Sequence, residues 1–128
     1  MLSNKKNKKN MIIVTGPTAS GKTTTAVQLA DKIQGEIVSA DSRQVYRGMD
    51  IGTGKDLSEY IVNGKKIKYH LIDILDPNEN YSVYDFQKDS IKSIEEIRKN
   101  NSVPIVCGGT GLYIESILLD YDFSEKPP

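Results

Sequence analysis

Cysteine and histidine occur once each in these 128 residues and tryptophan not at all. No apolar run approaches the roughly 18 residues that would argue for a membrane span. The single cysteine, Cys107, excludes an internal disulfide and suits a reducing cytosol. Inside "VPIVCGG" it reads as a small buried hydrophobe rather than a reactive thiol. His70, also alone, reads as a satisfied structural residue and not as a catalyst. Net charge is lacking too, since Lys plus Arg and Asp plus Glu both number 17. No overall field draws in a polyanion, which argues against tight RNA binding by this piece alone. The opening "MLSNKKNKKN" is basic and polar, and only Met11 to Val14 follow as an apolar run, too short for a secretory signal. Residues 1–10 are therefore expected to be a disordered basic tail. There is no internal repeat and no low-complexity core segment.

What remains is the composition of a soluble globular domain, 38% hydrophobic and 27% charged. "IIVTGPTASGKTTTA" combines a short buried strand, a glycine loop and the start of a helix. Gly16, Gly21, Lys22 and Thr23 satisfy G-x-x-x-x-G-K-[ST] in the required strand–loop–helix context. Loop N–H groups and the helix N-terminus make an anion nest, Lys22 adds a mobile positive charge, and the Thr23 hydroxyl can hold Mg²⁺. Such a loop recognises a diphosphate or triphosphate without saying what hangs from it.

Downstream, Ala26, Leu29, Ala30 and Ile33 share one helix face, and Gly35 stands where the helix should stop. "EIVSA" is a second strand, "DIGTGKDLSEY" a loop, and the later half of "KIKYHLIDIL" a third strand that "DPNEN" ends. Ser82 with Asp85 forms a capping-box variant for a helix through about Asn100, with Phe86, Ser90, Ile91, Ile94 and Ile97 turned inward. "VPIVC" is a fourth strand, followed by the glycine turn "GGTG" and the helix "LYIESILL". Near-continuous apolar strands alternating with helices predict an α/β fold, a P-loop NTPase-like three-layer sandwich with a mainly parallel sheet. No strand follows the last helix before "DYDFSEKPP", so the sheet is expected to be incomplete at its C-terminal end and the chain a fragment. Tyr46, Tyr81, Tyr84 and Tyr113 read as packing residues.

Asp41, at the end of the second strand, occupies the usual place for ligand groups in an open parallel sheet. Alone, Asp41 and Ser42 could equally cap a short helix. Asp73 could close a strand or serve as a metal-binding aspartate of a kinase.

The segments "GPTASGKT", "SADSRQVYRGMDIGTGK", "HLIDILDP", "YSVYDFQKDS" and "PIVCGGTGLYI" follow one another as in the tRNA dimethylallyltransferases. The chain resembles that family from Met11 to about Leu119. "DSRQVYRGMDIGT" and "GGTGLYI" are its most specific parts. The resemblance implies that residues 11–128 are the N-terminal portion of a P-loop catalytic core, without the tRNA-binding helical insertion and the remaining core. It implies that Gly16, Pro17, Thr18, Ala19, Ser20, Gly21, Lys22 and Thr23 bind the diphosphate of dimethylallyl diphosphate, with Mg²⁺ at Thr23. It sets Asp41, Ser42, Arg43, Gln44 and Thr110 against the tRNA anticodon stem-loop, and Lys22, Thr23, Asp41 and Thr110 at the reacting centre. Asp41 is the candidate base for the exocyclic amine of adenine, and Gln44 has the amide geometry to read an adenine edge. Adenine must then flip out of the anticodon loop.

This chain departs from the family in having Tyr69 before His70 where two histidines are common, and Gly54 and Asp56 around Lys55. A cytoplasmic monomer is expected, with the isolated chain weakly active or inactive though still able to bind anions at its loop. The alternatives are a small-molecule or nucleotide kinase, an enzyme that prenylates free adenine nucleotides, and a non-catalytic nucleotide-binding module. A kinase needs lid arginines, and Arg43, Arg47 and Arg98 are the only arginines.

Overall fold

The computed structural model describes residues 11–16, 21–47, 57–109 and 111–125. Expectations about residues 1–10, Pro17 to Ser20, Gly54 to Asp56 and Thr110 lie outside the described residues. The elements run β1 (Ile12–Thr15), α1 (Lys22–Ile33), β2 (Gly35–Ser39), a 3₁₀ turn (Leu57–Tyr60), β3 (Ile61–Val62), β4 (Lys65–Lys66), β5 (Tyr69–His70), α2 (Val83–Lys99), β6 (Val103–Gly108) and α3 (Gly111–Glu125).

Four strands make one parallel sheet in the order β1-β6-β2-β5. The chain passes from β1 through α1 to β2 and returns to lay β6 between them. Ile12 pairs with Ile105 and Thr15 with Gly108 on one side of β6, while Ile37 pairs with Ile105 and Ser39 with Cys107 on the other. Among the described residues, β1 and β5 are the edges of this sheet.

Side-chain alternation along the strands sorts the core into two halves. Ile37, Ile105 and Cys107 face Ala26, Val27 and Ala30 of α1. Val38, Ala40 and Val106 face Phe86, Ile94 and Ile97 of α2 and Tyr113 and Ile117 of α3. Helices thus cover both faces, as the near-continuous apolar strands require, and the predicted three-layer α/β sandwich is observed. Each fully buried isoleucine or phenylalanine removes enough apolar surface to contribute roughly 1.5–3 kcal/mol.

Three details differ from expectation. The strand expected in the later half of "KIKYHLIDIL" lies earlier, at Tyr69–His70. Leu71 and Asp73 adopt positive φ (68° and 59°), which ends the ladder there. The N–H groups that follow turn elsewhere: Asp73 donates to the Gln44 carbonyl at 3.0 Å, and Ile74 and Leu75 to that of Val45 at 2.8 and 3.0 Å. Second, the left-handed residue that stops α1 is Gln34 (φ 57°), and Gly35 already belongs to β2. Glycine at 35 answers crowding instead, since a Cβ there would sit 2.6 Å from Cδ1 of Ile105. Third, β3 and β4 form an antiparallel hairpin across Asn63 and Gly64, both at positive φ (52° and 77°).

α2 begins as expected. The Asp85 N–H donates to Ser82 Oγ at 3.1 Å, and the Ser82 N–H donates back to Asp85 Oδ2 at 2.9 Å. Ser82→Ala should lower stability by about 1 kcal/mol, read as a lower urea midpoint with unchanged slope. Those backbone and side-chain hydrogen bonds from Ser82 hold the Asp85 carboxyl below its ordinary range. Its contribution is therefore present above that range and disappears as pH falls through the depressed pKa. His70, paired with buried Glu36 through Nε2 at 2.8 Å near the start of β2, is structural as expected.

Candidate active site

The carboxyl ends of β1, β6 and β2 meet at one end of the sheet, the place where open parallel sheets hold ligands. Glycine makes the junction possible. A Cβ at Gly108 would fall on the Ala40 carbonyl, 2.5 Å from its carbon and 2.9 Å from Ala40 Cα. A Cβ at Gly109 would lie 3.1 Å from the Gly16 carbonyl oxygen and 4.0 Å from Lys22 Nζ. The loop after β6 therefore touches the first glycine of the phosphate motif and the lysine together.

Among the described residues no side chain caps the amino end of α1. Gly21, in left-handed conformation (φ 78°), is its N-cap and supplies no side-chain hydrogen bond, and no acidic residue stands in the first turn. The contrast with α2 is direct, because Ser82 and Asp85 consume the donors at that helix's start. At α1 the first N–H groups and the positive end of the helix dipole remain for an anion. The Thr23 side chain pairs with the buried Cys107 thiol. Burial pushes that thiol up, against the opposing pull of Lys22 and Thr23, so Cys107 stays neutral near pH 7 as its apolar setting suggested.

Across the junction, residues 41–47 form a pinned turn. Asp41 Oδ1 accepts the Arg43 N–H at 2.9 Å and lies 4.0 Å from Arg43 Nε, with the Asp41 side chain 16% exposed. The Gln44 N–H donates to the Asp41 carbonyl at 3.1 Å, and the Arg47 N–H to the Leu75 carbonyl at 2.7 Å. Of the alternative that Asp41 and Ser42 cap a short helix, the helix is replaced by a turn, while Asp41 does cap it through the Arg43 N–H. Among the described residues the hydrogen bond of the Asp41 carboxylate is made by Oδ1.

Two buried tyrosines feel the charge of Asp41. Tyr60 is buried against Tyr69, ring centroids 4.8 Å apart, and burial, Cys107, Glu59, Tyr69 and Asp41 all raise its hydroxyl. Tyr113 stacks on Phe86 at 4.0 Å, and burial, Tyr46, Asp41 and Asp85 raise it likewise. Tyr113 is thus the packing residue it was expected to be. Tyr84 is not: it is 79% exposed, because Phe86 takes the inward face and two residues of helix turn Tyr84 to the opposite side.

The structure therefore gathers Gly16, Gly21, Lys22, Thr23, Asp41 and Gln44 around one junction, with Arg43 exposed beside Asp41. Pro17, Thr18, Ala19, Ser20 and Thr110, also expected at the site, lie outside the described residues. Two neighbours went unread, Ser39 and Tyr60. Ser39 had a signal, a polar residue on the same strand face as Ile37, directly after the apolar pair Ile37 and Val38. Tyr60, at the end of a polar stretch, had none. Among the described residues no group of three His, Cys, Asp or Glu side chains is placed to hold a metal, and no helix is long and apolar enough to cross a membrane.

The family model described as IPP transferase matches residues 44–128. tRNA dimethylallyltransferase 2 of Phocaeicola vulgatus is 55% identical over 120 residues, covering 94% of this chain and 39% of that protein. tRNA dimethylallyltransferase 1 of Syntrophus aciditrophicus is 54% identical over 119 residues, covering 93% and 39%. The full-length tRNA isopentenylpyrophosphate transferase of Bacillus halodurans superposes with a TM-score of 0.81 at 43% identity, over 93% of this chain and 38% of that one. A eukaryotic dimethylallyltransferase, solved acting on tRNA, gives 0.76 at 34% identity, over 84% and 26%. The chain thus spans about 39% of the length of these curated relatives.

Proposed function

The chain belongs to the IPP transferase family, and we propose that it is the diphosphate-binding, base-activating part of a tRNA dimethylallyltransferase. The reaction moves a dimethylallyl group from dimethylallyl diphosphate to the exocyclic amine of the adenine beside the anticodon. The observation that carries this reading is a helix start with its lysine at the end of β1 and a carboxylate held at the end of β2, with β6 between them.

As the allylic C–O bond breaks, negative charge grows on the departing diphosphate. Donors aimed at that charge lower the barrier, and Gly16 through Thr23 are assigned to it: the α1 N–H groups, Lys22, and Pro17, Thr18, Ala19 and Ser20 in the same loop. The amine lone pair is delocalised into the purine ring and is a weak nucleophile. Asp41 Oδ2 takes its proton as the C–N bond forms. Ser42, Arg43, Gln44 and Thr110 are assigned to the RNA, with Thr110 beside the reacting centre.

Magnesium fits the donor set. Mg²⁺ uses one or two protein oxygens and completes its shell with phosphate and water, so a hydroxyl such as that of Thr23, in the first turn of α1, suffices. When bound, the ion neutralises charge on the leaving diphosphate. A cytoplasmic monomer acting on the anticodon stem-loop completes the proposal, with the tRNA-embracing segments supplied by sequence outside these 128 residues.

The test uses a chimera with these 128 residues in place of the matching part of the Phocaeicola vulgatus relative. Labelled dimethylallyl diphosphate with Mg²⁺ should pass its label to an unmodified anticodon stem-loop RNA. Transfer to free adenine nucleotides alone overturns the tRNA assignment. Phosphoryl transfer from ATP to a small acceptor, without label transfer, overturns the reaction. The 128 residues alone should show little or no transfer and still bind inorganic pyrophosphate.

A further inference from the structure

We propose that Ser39 is a positioning residue, whose buried hydroxyl fixes the Gln44 amide so that its Nε2 donors face the base. The inference deepens the proposed function and rests on it. Ser39 closes β2 and is 1% exposed. Its Oγ donates to Gln44 Oε1 at 3.0 Å. A hydroxyl this deep keeps its proton satisfied, because leaving it without an acceptor is costly. The hydrogen bond therefore settles which end of the amide turns inward.

The Gln44 backbone is fixed as well. Its N–H donates to the Asp41 carbonyl at 3.1 Å and its carbonyl accepts from Asp73 at 3.0 Å. With main chain and Oε1 both engaged, what Gln44 offers a ligand is the pair of donors on Nε2. Among the described residues Nε2 has no hydrogen-bond partner.

The register places this device at the centre of the site. Ser39 is the neighbour of Cys107 across β2 and β6, and Cys107 pairs with the Thr23 side chain. Neighbouring strands stand roughly 4.8 Å apart. Two adjacent side chains in the sheet thus hold the two halves of the site, Cys107 under the start of α1 and Ser39 under the turn that carries Asp41 and Gln44. Such a spacing is set by backbone pairing and not by loop conformation.

A donor-only glutamine selects for a ring nitrogen that accepts a hydrogen bond next to the reacting amine. Adenine offers one on each side of that amine, N1 and N7. The chemistry recognised is an aminopurine with an unprotonated nitrogen flanking the amine.

The experiment measures label transfer in the chimera with stem-loop RNAs carrying adenine, 1-deazaadenine or 7-deazaadenine at the target position. One deaza base should raise the KM for RNA about tenfold with the unaltered sequence. Ser39→Ala should raise the KM for the adenine RNA by a similar factor, leave the KM for dimethylallyl diphosphate unchanged, and make the same deaza substitution silent. Gln44→Ala should match it, and the double variant should lose no more than either single one. Ser39→Thr, which keeps the hydroxyl, should restore the discrimination. The proposal is overturned if neither deaza base matters, or if Ser39→Ala raises both KM values equally. It is overturned too if the cost of Ser39→Ala persists undiminished beside Gln44→Ala. No label transfer by the unaltered chimera removes the functional reading itself, and this inference with it.

Discussion

Asp41→Asn in the chimera is expected to lower kcat for dimethylallyl transfer by about 10²–10⁴-fold, the usual contribution of a positioned general base. The amide can keep its Oδ1 on the Arg43 N–H, the 2.9 Å bond that sets the side-chain direction. What it loses is the ability to take a proton at the second position. The KM for dimethylallyl diphosphate should hardly change, because the proposal assigns the donor to Lys22 and the α1 N–H groups at the end of β1, with β6 between them and Asp41. Single-turnover transfer and pyrophosphate binding, measured side by side, separate the two effects. A variant that keeps a third or more of the parent rate would remove Asp41 from the chemistry. Loss of pyrophosphate binding along with the rate would mean that the turn itself had collapsed.

The second large effect concerns stability. Gly108→Ala should destabilise the chain by about 3 kcal/mol, near the upper end of what overpacking costs. The added methyl would meet the Ala40 carbonyl group and Cα, all main-chain atoms and none able to swing aside. Ala40 is anchored there by its own N–H on the Cys107 carbonyl at 2.8 Å. Relief requires β2 and β6 to part where the site depends on their contact. Gly111→Ala is the comparison: its Cβ meets nothing within 4 Å, so its urea midpoint should stay put. Equal midpoints for the two variants would refute the close-approach account. With total stabilities of about 5–15 kcal/mol typical of a domain, the first variant should also express poorly.

Much of this architecture was legible in the residues because several signals agreed at each point. The capping box at Ser82 and the apolar spacing from Phe86 to Ile97 both marked α2, and they delimit it within a residue. The phosphate motif marked both the end of β1 and the start of α1. Where signals conflicted, tertiary pairing decided. "HLIDIL" reads as a strand on composition, yet its amides serve the turn at Gln44 and Val45, a partner no local pattern discloses. "VNGK" held an unused hairpin signal, Asn-Gly between short apolar and basic pairs, hidden by the polar loop before it. Gly35 drew attention as a helix stop when its reason was the side chain of Ile105 far along the chain. The site divides in the same way. Lys22, Thr23, Asp41 and Gln44 sit in recognisable strings, whereas Ser39 and Tyr60 matter only through what the sheet sets next to them.

The strand that launches the phosphate loop has, among the described residues, one neighbour only, and that neighbour is distant in sequence: Ile12 lies beside Ile105. During synthesis β1, α1 and β2 leave the ribosome first and must wait for β6 before the sheet can close between them. Such distant pairings are slow to form, and the waiting surface is exposed meanwhile. The start of the phosphate loop therefore gains its sheet neighbour only once β6 has emerged. A ribosome-bound chain stalled before Val103 should fail to retain pyrophosphate, however well its helices have formed.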